Sequence, residues 1–309
     1  MSLVTSKEML DKANHEKFAI GAFNINNMEI IQGVVDAAAA QHSPVILQCS
    51  SSAIKYARIN YLMKMVQAAC EEHPEVPVAI HLDHGPDFET AKMCIDNGFT
   101  SVMFDGSKYD FETNVKLTKE VVEYAHSKGI PVEAEIGKLA GVEDEVNVSA
   151  EDSIYTDPHE AQKFVELTGC DTLAIAIGTS HGAYKFKGEP KLRFDILEQV
   201  KALIPETPIV LHGASSVEPE LLAMCNQFGG NIPGAKGCPD EMLAEAARRG
   251  VNKVNTDTDL RIAMTAEIRR MFAEKPEVFD PRQYLGVARD RIQEVVEKKM
   301  KYFGSSGKA

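Results

Sequence analysis

Eight short runs dense in Val, Ile and Phe recur along the 309-residue chain, and helical segments separate them. This alternation limits the fold more than any other feature of the sequence. The runs are 17–25 (KFAIGAFNI), 44–50 (PVILQCS), 77–84 (PVAIHLDH) and 101–107 (SVMFDGS), then 131–137 (PVEAEIG), 172–178 (TLAIAIG), 208–214 (PIVLHGA) and 251–258 (VNKVNTDT). Four open on proline, which a strand tolerates as its first residue. Their near-continuous apolar character suits parallel strands buried on both faces. Between them, Met28–Gln41 places Ile30, Ile31, Val34 and Val35 on one stripe. Segments 86–97 and 111–128 are each closed by a glycine, and 86–97 also carries proline early, as helix capping favours.

Strand and helix alternating eight times predict an α/β fold, a (β/α)8 TIM barrel. A doubly wound sheet would show a glycine-rich dinucleotide loop after its first strand, and GAFNINN at 21–27 is not one. The length suggests two domains at about 150 residues each, but α/β barrels of about 250 residues form one. We therefore expect a single barrel domain over 1–309 with three additions. These are a long acidic loop at 137–156, a Gly- and Pro-rich insertion at 229–239, and extra C-terminal helices from about residue 260. Helices near 260–273 and 283–301 are more than one closing helix, and such extras cap a barrel or make subunit contacts.

Charge and composition narrow the partners. With 46 acidic residues against 33 Lys and Arg, the net charge of −13 disfavours nucleic acid, whose phosphates want clustered cations. The longest glycine-free apolar run, 173–177, is far short of the ~20 residues that span a bilayer, so no membrane association is expected. Lys7, Glu8 and Asp11 interrupt any apolar leader, so a cytoplasmic location is expected. The six cysteines form no C-x-x-C pair and read as buried thiols, with neither disulfides nor a thiolate zinc site.

The nine histidines fall into two sets. His15, His42, His73, His126 and His159 lie among charges in helical or turn contexts. His81, His84, His181 and His212 sit at or just beyond the C-terminal ends of the third, sixth and seventh runs, the end where active sites of this fold lie. His84, His181 and His212 are each followed by glycine, which permits a tight exit and a close approach. Three neutral imidazoles converging there would hold Zn²⁺ and leave a coordination position open. Alternation along the strand gives His81 a packed, hydrogen-bonded role instead.

Asp83 adjoins a proposed ligand. It is either a base for a substrate hydroxyl or a partner that orients an imidazole. Asp105 and Glu135 end the fourth and fifth runs, as outer partners or as an alternative metal position. GTSHGAYK (178–185), HGAS (212–215) and NTDTD (255–259) bring Gly, Ser, Thr, Asn and Lys to the ends of the last three runs. Phosphate cups in this fold are commonly built there from backbone N–H groups and hydroxyls.

Taken in order, HLDHG, EAEIG, GTSHGAYKFKGEP, LHGAS and KVNTDTDLR resemble the class II, zinc-dependent fructose-1,6-bisphosphate aldolases. The similarity runs from GAFNINN to DPRQYLG and the closing FGSS, and the 229–239 insertion resembles that of a bacterial subgroup. It implies Zn²⁺ on His84, His181 and His212, polarising the dihydroxyacetone phosphate carbonyl and stabilising the enediolate. It also implies Asp83 as the acceptor of the C4 hydroxyl proton, and Glu143 as the acid that exchanges the C1 proton of dihydroxyacetone phosphate. The neighbours Asp144 and Glu145 leave that last register open.

By the same resemblance Gly182, Lys185, Gly213 and Ser215 cradle the dihydroxyacetone phosphate end, with Asn255 and Thr258 nearby. Carbonyls around Gly182 and Gly213 bind Na⁺ or K⁺ in some members. Arg261 and Arg282 match the cations for the distal phosphate, Arg282 coming from a neighbouring subunit, which implies a homodimer or homotetramer. Asn24 and Ser50 match substrate-contacting positions.

Tagatose-1,6-bisphosphate aldolase shares this chemistry but usually lacks the acid that Asp257 supplies, so the sequence favours the fructose substrate. A class I aldolase needs a Schiff-base lysine in the barrel. The sixth run has none, and nothing in the pattern recommends Lys253 on the eighth. A metallohydrolase barrel would carry His-x-His on the first run, where this chain has FNIN. A barrel that only binds a sugar phosphate would not need every chemical group to be present. Between Zn²⁺ and Co²⁺ the sequence does not choose.

Overall fold

The computed structural model describes residues 3–143, 146–148, 154–183 and 190–309. Helix α1 (Ser6–Glu16) precedes β1 (Ile20–Asn24), and α2 (Met28–Gln41) leads to β2 (Val45–Cys49). Two helices, α3 (Ser51–Ala57) and α4 (Ile59–Glu72), reach β3 (Val78–Gly85). Then come α5 (Phe88–Asp96), β4 (Ser101–Phe104), α6 (Phe111–Ser127) and β5 (Val132–Ile136). The strands β6 (Ala140–Glu143) and β7 (Val146–Val148) precede α7 (Pro158–Thr168), β8 (Thr172–Ile175) and β9 (Ser180–His181). The chain finishes with α8 (Phe194–Leu203), β10 (Ile209–Leu211), α9 (Pro219–Gln227), α10 (Asp240–Arg249), β11 (Val251–Thr256), α11 (Thr258–Glu274) and α12 (Pro281–Phe303).

Strands β1, β11, β10, β8, β5, β4, β3 and β2 close, in that order, into a barrel whose paired neighbours are all parallel. Each of the eight apolar runs supplies one of these strands, β3 running one residue past its run, so the expected (β/α)8 barrel is the observed architecture. The apolar stripes of the surrounding helices pack onto the outward side chains of the strands in one large core. Local sequence sets the helix starts. Asn27, Asp87 and Asp110 each accept a backbone N–H three residues on, at 2.9, 2.8 and 2.8 Å, a cap that stabilises by about 1 kcal/mol.

The barrel interior is divided along its axis. Near the strand starts Ile20, Ala22, Ile46 and Ala79 form an apolar plug with Met9, Leu10 and Ala13 of α1 and with Phe18. Two residues further along the strands the lining turns polar, with His81, Glu133 and Lys253, and a further two bring Asp83, Glu135 and Asn255, all buried. This period of two follows from strand geometry.

Segment 137–156, expected as a loop, instead carries an antiparallel hairpin, β6–β7. It is fixed by parallel pairing of Ala140 with Ser180 and Gly141 with His181, and Lys138 bridges Ile154. The insertion at 229–239 lies between α9 and α10. The C-terminal helices are longer than expected, and α12 packs along α2 and α11. All six cysteines are buried, and no disulfide joins any of them. Among the described residues, no helix is long and apolar enough to cross a membrane.

Candidate active site

A regular strand would send Asp83 and His84 to opposite faces. At the end of β3 the pairing register with β4 slips between Leu82 and Gly85, and His84 takes φ +47°. A non-glycine residue there costs on the order of 1–3 kcal/mol and survives only where its surroundings hold it. The irregularity lets two consecutive side chains serve one site. Gly85 makes it feasible, because a Cβ there would stand 2.2 Å from the Met103 carbonyl oxygen.

The Asp83 carboxylate is buried and gripped by three amides. Asn24 Nδ2 donates to Oδ2 at 3.0 Å, Gln48 Nε2 to the same oxygen at 3.2 Å, and Asn255 Nδ2 to Oδ1 at 3.1 Å. Gln48 also donates to Asn24 Oδ1 at 2.6 Å. Burial opposes the charge on Asp83. His84, His212, Lys253 and the Asn24 amide outweigh it and hold the acid below the usual carboxylate range.

The histidines are oriented from behind by carboxylates. His84 Nδ1 donates to Asp105 Oδ2 at 2.8 Å, leaving Nε2 to face His212 Nδ1 at 2.9 Å. His212 Nε2 in turn donates to Glu133 Oε1 at 2.8 Å. Burial disfavours a charged His84, but Asp83, Asp105 and Glu135 overcome it, and its pKa lies well above the ordinary imidazole value. Burial and the neighbouring His84 push His212 down, which favours His84 Nε2 as the donor in the hydrogen bond between the two rings.

Beneath this layer Lys253 Nζ pairs with Glu133 Oε2 at 2.9 Å, and His81 Nε2 lies 3.6 Å from the same oxygen. Burial alone would raise Glu133. Lys253, the His212 hydrogen bond and His81 instead carry it far below the usual range. His81 bonds Ser101 Oγ at 2.8 Å, and burial together with Lys253 lowers it to about 3, the packed role its position implied.

Two ligand groups emerge among the described residues. The donor atoms of Asp83, His84 and His212 lie within 4.8 Å of one another, as do those of His84, Asp105 and Glu135. Glu135 Oε2 is buried with no hydrogen-bond partner, and burial plus Asp105 raises this acid well above its usual value. Opposed imidazole nitrogens beside an unsatisfied carboxylate oxygen are a donor set suited to a divalent metal. The His181 ring stands edge-on to the others, with centroids 5.0 Å from His84 and 6.4 Å from His212, but it belongs to neither 4.8 Å group. It sits beyond the barrel wall in β9, so pairing with β6 fixes its place.

The expected phosphate residues ring the same mouth. Gly213 adopts φ +61°, and a Cβ there would meet the Ser180 carbonyl oxygen at 2.6 Å. Ser215 Oγ accepts the Asp257 N–H at 3.2 Å. Gly182 has φ +78°, and Thr258 opens α11. Arg261 makes a two-pronged pair with Asp257, Nε to Oδ1 at 2.8 Å and Nη2 to Oδ2 at 2.6 Å. Ser50 caps α3, and its Oγ lies 3.0 Å from Ser52 Oγ. Arg282 is not gathered into this group. It lies in the first turn of α12 with its side chain 90% exposed, paired with the N-cap residue Asp280. The backbone of Glu143 ends β6, while its side chain, with Asp144, Glu145 and Lys185, lies outside the described residues.

Sequence reasoning overlooked Gln48, Glu133 and the pairing of Lys253. The available signal was polar or charged residues inside otherwise apolar parallel strands.

Fold and site together define a class: a (β/α)8 barrel with a histidine–carboxylate centre at the carboxyl ends of its strands, whose donor atoms could hold a metal. A family model for class II fructose-bisphosphate aldolase matches residues 4–308. The fructose-bisphosphate aldolase of Giardia intestinalis is 51% identical, over 100% of this chain and 95% of its own. That of Thermus caldophilus is 50% identical over 99% and 100%. Among solved structures, the YdjI aldolase of Escherichia coli superposes with a TM-score of 0.82 at 32% identity, covering 99% of both chains. The chain belongs to the class II fructose-bisphosphate aldolase family, and aldolases are carbon–carbon lyases.

Proposed function

We propose that this protein is a cytoplasmic enzyme that reversibly cleaves fructose 1,6-bisphosphate to dihydroxyacetone phosphate and glyceraldehyde 3-phosphate. We further propose that it works with Zn²⁺ held by His84, His181 and His212. The observation that carries this reading is the buried Asp83 carboxylate, fixed by three amides next to His84 and His212. When bound, the cation supplies a Lewis acid for the substrate's ketone oxygen.

The chain's own groups do the rest. Asp83 takes the C4 hydroxyl proton as the C4 carbonyl forms. The C3–C4 bond breaks, and its electron pair passes to the dihydroxyacetone phosphate half. In condensation Asp83 returns that proton. Three donated hydrogen bonds keep it ionised and aimed while leaving lone pairs free to accept. Glu143, at the end of β6, exchanges the C1 proton of dihydroxyacetone phosphate. Asp105 holds His84, and Asp105 and Glu135 together offer an alternative metal position, which the second 4.8 Å group supports.

Gly182, Lys185, Gly213 and Ser215 receive the nearer phosphate, with Asn255 and Thr258 beside them, and carbonyls at Gly182 and Gly213 take Na⁺ or K⁺. Asn24 and Ser50 contact the sugar. Arg261 and a neighbouring subunit's copy of Arg282 meet the distal phosphate in a homodimer or homotetramer. The exposed side chain of Arg282 is consistent with service to another subunit. Asp257 favours the fructose over the tagatose substrate by holding Arg261 in a bidentate pair.

Metal analysis combined with cleavage assays on both hexose bisphosphates tests the assignment. We expect stoichiometric zinc, faster turnover of the fructose substrate, and a loss of about 10²–10⁴-fold in Asp83→Ala. Equal or faster cleavage of the tagatose substrate overturns the substrate assignment. Full activity after metal stripping overturns the metal.

A further inference from the structure

Lys299 of α12 is wholly buried, an uncommon place for an ammonium group. Its Nζ donates to Asp240 Oδ1 at 2.7 Å and lies 2.8 Å from Asp259 Oδ2, and it also bonds Ser216 Oγ. Removing a lysine and two carboxylates from water costs several kcal/mol, and apolar residues of similar volume would fill the space without that cost. The cluster therefore calls for a purpose beyond cohesion.

Both acids have a second task, and both tasks converge on one turn. The Asp259 carboxylate accepts the backbone N–H of Ser216 at 2.8 Å and of Val217 at 2.6 Å. Asp240 accepts the Ser216 hydroxyl. Val217 sits at φ +52°, where a β-branched residue is a genuine outlier that needs an external clamp. The other side of the turn faces the barrel mouth, where Ser215 Oγ accepts the Asp257 N–H and Gly213 packs on Ser180. Lys299 thus neutralises the two carboxylates that hold the turn from behind, and through them α10, α11 and α12 grip it together.

We propose that Lys299 is a positioning residue for phosphate recognition, acting through Asp259 and Asp240 to hold the Gly213–Val217 turn in its binding shape. This rests on the proposed function only for placing the dihydroxyacetone phosphate group at Gly213 and Ser215.

The test uses the zinc-loaded enzyme and Lys299→Met, with Ser216→Ala as a milder variant that keeps the Lys299–Asp259 pair. Condensation kinetics are measured for each substrate, and inorganic phosphate binding is measured by calorimetry. We expect KM for dihydroxyacetone phosphate to rise about tenfold in Lys299→Met and less in Ser216→Ala. KM for glyceraldehyde 3-phosphate stays level, phosphate binding weakens in parallel, and Lys299→Arg partly restores both. Lower thermal stability with both KM values and phosphate affinity unchanged overturns the proposal. If Lys299→Met does not fold, unchanged values in Ser216→Ala overturn it. A wild-type protein that cleaves neither bisphosphate sinks the assigned reaction instead, and the calorimetric arm, which needs no turnover, still decides on Lys299.

Discussion

Glu133 shows how much a single side chain can govern here. It receives the His212 Nε2 proton and the Lys253 ammonium on its two oxygens, so it sets which imidazole nitrogen faces His84 and the proposed metal, and keeps a lysine neutralised inside the barrel. Glu133→Gln is expected to lower zinc affinity about 10–100-fold in chelator competition. It should also cost about 3–5 kcal/mol in denaturant unfolding, because Lys253 then lacks a counter-charge. The pairing explains why Lys253 is no Schiff-base candidate: an ammonium held by a buried carboxylate is a poor nucleophile. Proton competition gives a second expectation. His84 is held well above the ordinary imidazole value, so the proposed metal would have to displace its proton, and apparent zinc affinity should rise with pH until that proton is lost. A pH-independent affinity across the neutral range would contradict this. Asp83, His84 and His212 were legible because they end strands. Gln48, Glu133 and Lys253 were not, because a rule about strand ends passes over side chains one layer down.

At the scale of elements, the end of β3 is the most demanding piece of backbone. Gly85→Ala would drive a Cβ into the Met103 carbonyl, so we expect a loss of about 1–3 kcal/mol together with weaker metal binding, measured by thermal unfolding and zinc titration. The grip of α12 has its own pH signature. Lys299 is buried, yet Asp259 and Asp240 raise its pKa, so its contribution is complete below the ordinary lysine value and lost as pH rises through the folded one. Asp240 opposes burial through Lys299 and is lowered, so its contribution is present above the ordinary carboxylate range and lost as pH falls. The stability difference between wild type and Lys299→Met should therefore be level between roughly pH 5 and pH 10 and narrow outside that window. The eight barrel strands could be read from sequence because strands buried on both faces are apolar throughout. Helix α1 escaped, since Met9, Leu10 and Ala13 are scattered among Lys7, Glu8, Asp11 and Lys12. The β6–β7 hairpin escaped too, because it is completed by Ser180 and His181, about 40 residues downstream, and local pattern cannot report such pairing.

For the whole molecule, the proposed service of Arg282 to a neighbouring subunit predicts complementation. Mixing subunits of Asp83→Ala with subunits of Arg282→Ala should restore about a quarter of the sites after random reassociation into dimers, because each hybrid holds one intact site. Activity no greater than the sum of the separate variants would refute a shared site. The division of the barrel interior has a further consequence. Apolar side chains under α1 fill its base, a charged layer of His81, Glu133 and Lys253 crosses its middle, and the proposed reacting groups occupy its mouth. Substitutions at the base and at the mouth share no contacts, so their free-energy effects should sum, while any change in the middle layer should make both depart from additivity. The charged layer is thus an energetic partition, and new chemistry can be tried above it while the base continues to supply the stability that tolerates the attempt.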